Sequence, residues 1–244
     1  MLYENLSVNE KNHLTFAGKD TAELAEKYGT PLFVMDEKKI RERCRIYKNS
    51  LAALGENSFP LFAGKALCFK GLYPIIRDEG LGIDVVSPGE IFTAHAAGFP
   101  MEKAFFHGNN KTPWDIDFAM EKGVGYFVCD NGEEIEAVQA AAVKKNICQK
   151  ILIRVTPGID PHTHAKISTV DSKFGSPITT GKALELTKKA LSCDNIALKG
   201  FHCHVGSQIF ESDPFIDAVK IMTEYIADVK KETGFEAEIL NIGG

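Results

Sequence analysis

Short apolar runs rich in strand-forming residues alternate with longer helical patterns along the chain, and the punctuation between them is clear. The runs cover residues 31–35, 59–63, 83–86, 104–106, 126–129, 151–155, 198–205 and 238–242. Most are followed by a helix-start signal. Ser87-Pro88-Gly89-Glu90 offers a capping serine, a proline at the first helical position and a glutamate at the third, with Gly98 as terminator. Thr112-Pro113-Trp114-Asp115 repeats the device and ends near Gly123. Asp130 with Glu133, Thr180, and Asp213-Pro214 start three more helices, the last stopping at Gly234.

Repeated strand–helix units predict a parallel sheet, and near-continuous apolar runs predict strands covered on both faces. No G-x-G-x-x-G follows an early strand, which weakens a dinucleotide-binding sheet and favours an α/β (β/α)8 TIM-type barrel. In that fold the chemistry lies where strands end. The chain stops at Gly243-Gly244 directly after an apolar run, with no helix to cover it, so one end is expected to be cut.

Composition narrows the partners. The 244 residues are 44% hydrophobic and 25% charged, as in a globular protein, and 28 Lys+Arg against 33 Asp+Glu leave a net charge of -5. No diffuse basic surface for nucleic acid follows from that balance. With no apolar stretch of membrane-spanning length and no leader pattern at the start, a cytoplasmic protein is expected. Six cysteines without a C-x-x-C pair read as reduced thiols.

Several strand ends carry chemistry-bearing residues. Lys65 follows the run at 59–63, with Gly64 permitting close approach; a desolvated amine there could attack an aldehyde, whereas most lysines are simply solvated. His202 and His204 fall on one face by period two, with Cys203 opposite; a metal pair, a ring that stacks on a planar group and a satisfied core histidine are all compatible with that. His162 and His164 pose the same question. Asp84 lies within an apolar strand and needs a partner, for which Arg154 in another strand is the natural candidate. Residues 107–111, His-Gly-Asn-Asn-Lys, are a polar strand end that either lines a site or forms a loop, and Gly243-Gly244 offers either unobstructed amides for a phosphate or a tight turn.

Taken in order, Tyr28-Gly29-Thr30-Pro31-Leu32, the Lys65 segment, Asp84-Val85-Val86-Ser87-Pro88-Gly89-Glu90, His107 to Lys111, His164 with Ile167-Ser168-Thr169, Ser172-Lys173-Phe174-Gly175, His204-Val205-Gly206-Ser207-Gln208 and Ile242-Gly243-Gly244 resemble the diaminopimelate decarboxylases, of the alanine-racemase-like class of pyridoxal-phosphate enzymes. The resemblance implies pyridoxal 5'-phosphate as cofactor, no catalytic metal, and the conversion of meso-diaminopimelate to L-lysine and carbon dioxide by a homodimer. Lys65 would hold the cofactor covalently and His204 would stack on its ring, so these are the catalytic candidates. Ser207, Gly243 and Gly244 would sit at the phosphate, with Asp84 and Arg154 as supporting polar residues nearby.

The family's pattern also implies that residues 1–36 are an N-terminal segment whose run at 31–35 is a strand of a β-rich domain absent here. Residues 37–244 would then be a cofactor-binding barrel with seven of its eight strands. Phe62 stands where the family usually has tyrosine, and Leu67 where a polar residue is common. A polypeptide truly ending at Gly244 is expected to be inactive and aggregation-prone. Within the class, ornithine, arginine and carboxynorspermidine decarboxylases are alternatives, as is a pyridoxal-phosphate carrier without turnover; an aldolase-type barrel using Lys65 directly is a third reading.

Overall fold

The computed structural model describes residues 3–55, 57–159 and 173–244, which fall into two compact units, Met1–Pro60 with Asp78–Leu81 and Leu61–Arg77 with Gly82–Gly244. His162, His164, residues 167–169 and Ser172 lie outside the described residues. Among the described residues, no helix is long and apolar enough to cross a membrane.

In the first unit, β1 (Leu6–Val8), β2 (Leu14–Phe16) and β3 (Lys19–Asp20) form an antiparallel meander. Strands of two or three residues that bury only Thr15 leave no apolar period to read, so the sequence pattern passes over them. Asp20 caps α1 (Thr21–Tyr28) by accepting from the Ala22 and Glu23 amides. Asp36 caps α2 (Glu37–Ala52), whose Arg41 and Arg45 both donate to Glu79. The apolar run at 31–35, expected as a strand of a β-rich domain outside this chain, joins no strand ladder among the described residues, and Phe33 is 97% exposed. Extended backbone becomes a strand only against a partner, and composition cannot supply one.

The second unit holds β4 (Leu61–Ala63), β5 (Gly82–Val85), β6 (Ala104–Phe106), β7 (Tyr126–Cys129), β8 (Gln149–Thr156), β9 (Ser176–Pro177), β10 (Ile196–His202) and β11 (Ile239–Asn241). Seven of them make one parallel sheet in the order β11-β10-β8-β7-β6-β5-β4, and β9 adds to the end of β8. These seven strands curl as an incomplete (β/α)8 barrel, and each coincides with one of the remaining apolar runs. The crossovers contain α3 (Leu72–Asp78), α4 (Pro88–Ala96), α5 (Pro113–Glu121), α6 (Gly132–Lys145), α7 (Lys182–Leu191) and α8 (Asp213–Thr233).

The expected caps of α4 and α5 are present, the latter as a reciprocal box between Thr112 and Asp115, and Gly234 at φ 75° ends α8. Two starts differ from expectation. Asn131, not Asp130, caps α6, and Gly181, not Thr180, precedes α7. Asp130 is instead buried, one position earlier, at the end of β7.

Phe105, Val128 and Leu152 are almost wholly buried, and Leu61, Tyr126 and Ile239 pack against them. These residues come from β4, β6, β7, β8 and β11 and form an apolar layer on the concave face. Gly200 lets β10 and β11 approach: a Cβ there would lie 1.9 Å from the Ile239 carbonyl oxygen.

Candidate cofactor site at the strand ends

Period two lifts the site directly above that apolar layer. Two residues beyond Leu61, Phe105, Val128, Leu152 and Ile239 stand Ala63, His107, Asp130, Arg154 and Asn241. The ladder register sets His202 opposite both Arg154 and Asn241, and Asp84 opposite Ala63. Apolar side chains below exclude water, and polar ones above face the barrel mouth, as the fold requires of a reactive end.

Lys65 lies in a single 3-10 turn, Gly64–Ala66, that ends β4. Its backbone is held close to β5: a Cβ on buried Gly64 would lie 3.1 Å from the Asp84 carbonyl oxygen, 3.3 Å from Tyr73 Oη and 3.7 Å from Glu90 Cδ. Among the described residues the Lys65 amine makes no hydrogen bond or ion pair, and its charge acts on Glu90 and His204. Burial raises the Glu90 carboxyl above its usual range, opposed by bonds from the Val86 and Ser87 amides and by Lys65.

Asp84 finds a different partner from the one expected. His107 Nε2 lies 3.0 Å from Asp84 Oδ1, while Arg154 stands on β8, three strands away. The His107 amide also bonds to the Val85 carbonyl at 2.8 Å, and its ring meets His202 edge-to-face with centroids 4.7 Å apart. Arg154 instead has its guanidinium 4.4 Å from the centre of the Phe174 ring. Burial draws the Arg154 pKa below its usual value, and the nearby Asp130 charge opposes that fall.

His204 is half-buried just past β10, and burial, Arg154 and Lys65 lower its pKa to about 4. At neutral pH it is therefore an uncharged planar ring. Arg154, Lys65, His107 and Asp84 all act on it electrostatically, so residues from four strands influence one imidazole. His202 is deeper, and burial pushes its pKa well below the ordinary value.

Gly243 adopts φ 70°, and a Cβ on it would meet the Cys203 carbonyl at 2.7 Å and His204 Nδ1 at 3.0 Å. Its amide already donates to Asn241 Oδ1 at 2.9 Å, whereas a Cβ on Gly244 would meet nothing within 4 Å. Ser207 is exposed in the bend after His204. The buried atoms His202 Nδ1 and Asn241 Nδ2 have no hydrogen-bond partner among the described residues.

Lys65, Asp84, Arg154 and His204 are thus drawn together, with Gly243 against His204. His107, from the polar strand end at 107–111, lines the same region. Glu90 and Asp130 belong to it too but were not singled out as site residues from sequence. Glu90 and Asp130 sit where helix-capping carboxylates are common, and capping masked them.

Residues 37–244 match the family described as "Pyridoxal-dependent decarboxylase, pyridoxal binding domain". The chain belongs to this family. Among its relatives, the diaminopimelate decarboxylases of Halalkalibacterium halodurans and Bacillus methanolicus are 44% and 43% identical over 239 residues, 97% of this chain. This pyridoxal-binding domain spans about half the length of these relatives, 54% and 55% respectively. A crystal structure of diaminopimelate decarboxylase from M. jannaschii in co-complex with L-lysine superposes with a TM-score of 0.87 at 30% identity, over 98% of this chain and 57% of that one.

The residues present fit a planar phosphorylated aldehyde. An unpaired primary amine, a neutral imidazole ring and an arginine lie at neighbouring strand ends, with the Gly243 backbone packed against His204. Unpartnered polar atoms lie beneath them.

Proposed function

We propose that this chain forms the cofactor-binding part of a decarboxylase that converts meso-diaminopimelate to L-lysine and carbon dioxide using pyridoxal 5'-phosphate. The observation that carries the reading is the placement of Lys65 at the end of β4, unpaired among the described residues and electrostatically coupled to His204. The names of the relatives support the substrate.

Pyridoxal phosphate, when bound, accepts the electron pair released as the carboxyl group departs. Lys65 supplies the amine that attaches the cofactor. Gly64 brings that amine's backbone close to β5, and the Glu90 carboxyl, raised above its usual range by burial, lies near it. The neutral ring of His204 offers a flat surface for stacking at no cost in buried charge. Arg154 provides a nearby cation, and Ser207, Gly243 and Gly244 are the proposed phosphate contacts. The Asp84–His107 pair completes the polar wall, and the Phe105–Val128–Leu152 layer closes the floor against water.

The test uses the full-length protein with added pyridoxal phosphate. A visible absorbance band abolished by borohydride, absent in Lys65→Ala, is expected, together with carbon dioxide release from meso-diaminopimelate in preference to ornithine, arginine or lysine. No band, or a band with turnover of another diamino acid only, would overturn the reading.

A further inference from the structure

A buried polar relay crosses three strand ends beneath the site. Lys111 Nζ donates to the Gly108 carbonyl at 2.7 Å, to the Val128 carbonyl at 2.8 Å and to Glu134 Oε1. Both side chains are almost fully enclosed, at 2% and 5% exposure. The other oxygen of Glu134 accepts from the Asp130 amide at 2.9 Å, so the ion pair fixes the backbone where β7 ends.

Asp130 passes that constraint to a different part of the chain. Its Oδ2 accepts from the Gly175 amide at 3.2 Å, and its carbonyl accepts from Ser176 Oγ at 3.3 Å. Residues 174–177 therefore form a strap over β8, tied at its other side by Thr156 Oγ1 donating to the Phe174 carbonyl at 3.0 Å and by the β8–β9 ladder. The strap lies against both Arg154 and Thr156. The Phe174 ring covers the guanidinium, and a Cβ on Gly175 would lie 3.2 Å from Arg154 Cγ.

We propose that Asp130 is a positioning residue for Arg154, acting through the strap whose Gly175 amide it holds, with Lys111 and Glu134 keeping Asp130 in register. A structural carboxylate needs only to satisfy its own atoms, yet Asp130 Oδ1 is buried with no partner among the described residues, so the group is placed for the strap at a local cost. This role rests on Arg154 serving the pyridoxal-phosphate site.

The experiment is a double-mutant cycle in the full-length protein, reading pyridoxal-phosphate affinity. Asp130→Ala is expected to raise Kd about tenfold, the loss of roughly one hydrogen bond's worth of positioning. Asp130→Asn, which keeps an oxygen for the Gly175 amide, restores most of that loss. In an Arg154→Gln background the Asp130→Ala change shrinks to less than about twofold, because residues acting through one another do not add. Thr156→Val loosens the strap from its other side and weakens binding in the same way, which covers the case of an Asp130→Ala protein that does not fold. In the cofactor-free protein, hydrogen exchange at Gly175 quickens in both strap variants. Strictly additive effects, or unchanged affinity in both strap variants, would overturn the proposal while leaving the cofactor site standing. A parent protein that binds no pyridoxal phosphate would overturn both.

Discussion

His107 Nε2 and Asp84 Oδ1 stand 3.0 Å apart, joining the end of β6 to the middle of β5 on the concave face of the sheet. The His107 side chain is 10% exposed and that of Asp84 24%, so neither can replace the other fully with water. Asp84→Ala should cost about 1–3 kcal/mol of stability, the usual range for stranding a buried polar partner, and Asp84→Asn less, since an amide can still bond to the imidazole. Denaturant unfolding of the cofactor-free protein measures both.

Gly243 and Gly244 separate two roles that a glycine can play. An alanine at 243 is strained at φ 70° and drives its Cβ into the Cys203 carbonyl and the His204 ring, whereas one at 244 meets open space. Gly243→Ala should therefore weaken pyridoxal-phosphate binding by about tenfold or more, and Gly244→Ala by clearly less, if His204 must keep its orientation. Equilibrium titration of the two variants side by side checks the contrast.

The depressed pKa of His204 has a signed consequence. Its imidazole is neutral in both states at pH 7; as pH falls through its ordinary value near 6.5, the unfolded chain binds a proton that the folded chain refuses until about 4. Over that window the folded state loses stability relative to a His204→Gln variant. Melting temperatures of both proteins between pH 7 and pH 5, without cofactor, should diverge from each other; parallel curves would contradict the burial-driven shift.

Lys111 and Glu134 form an ion pair that solvent barely reaches. Removing one member strands the other, so Lys111→Met or Glu134→Leu alone should cost about 3–5 kcal/mol. The double replacement should cost less than the sum of the two singles, because no buried charge is left uncompensated. Chemical denaturation of the three variants tests the coupling.

The seven sheet strands could be read from sequence because a strand buried on both faces must be apolar throughout, and Ala104–Phe106 and Tyr126–Cys129 match the apolar runs residue for residue. Lys65 and His204 were visible because a polar residue ending such a run breaks a strong pattern. Other features left no such mark. The partner of Asp84 depends on strand order, which chain proximity does not give, and His107 is selected over Arg154 only once β5 and β6 are neighbours. Asp130 and Glu134 were obscured by helix-start chemistry, since a carboxylate near a helix start serves a cap as naturally as it serves a relay. The run at 31–35 has the composition of a strand, and its expected partners belong to a domain outside the described residues, which provide no ladder for it.

Among the described residues, β4 pairs with β5 alone and β11 with β10 alone, so these strands are the two ends of the strand order. Lys65 hangs from one and Gly243 follows the other. The span between the attachment point and the proposed phosphate contacts is thus set by how tightly the sheet curls. A molecule bridging that span acts as a tie-rod, and the same ligation that readies the site would stiffen the sheet against opening, so occupancy and melting temperature should rise together.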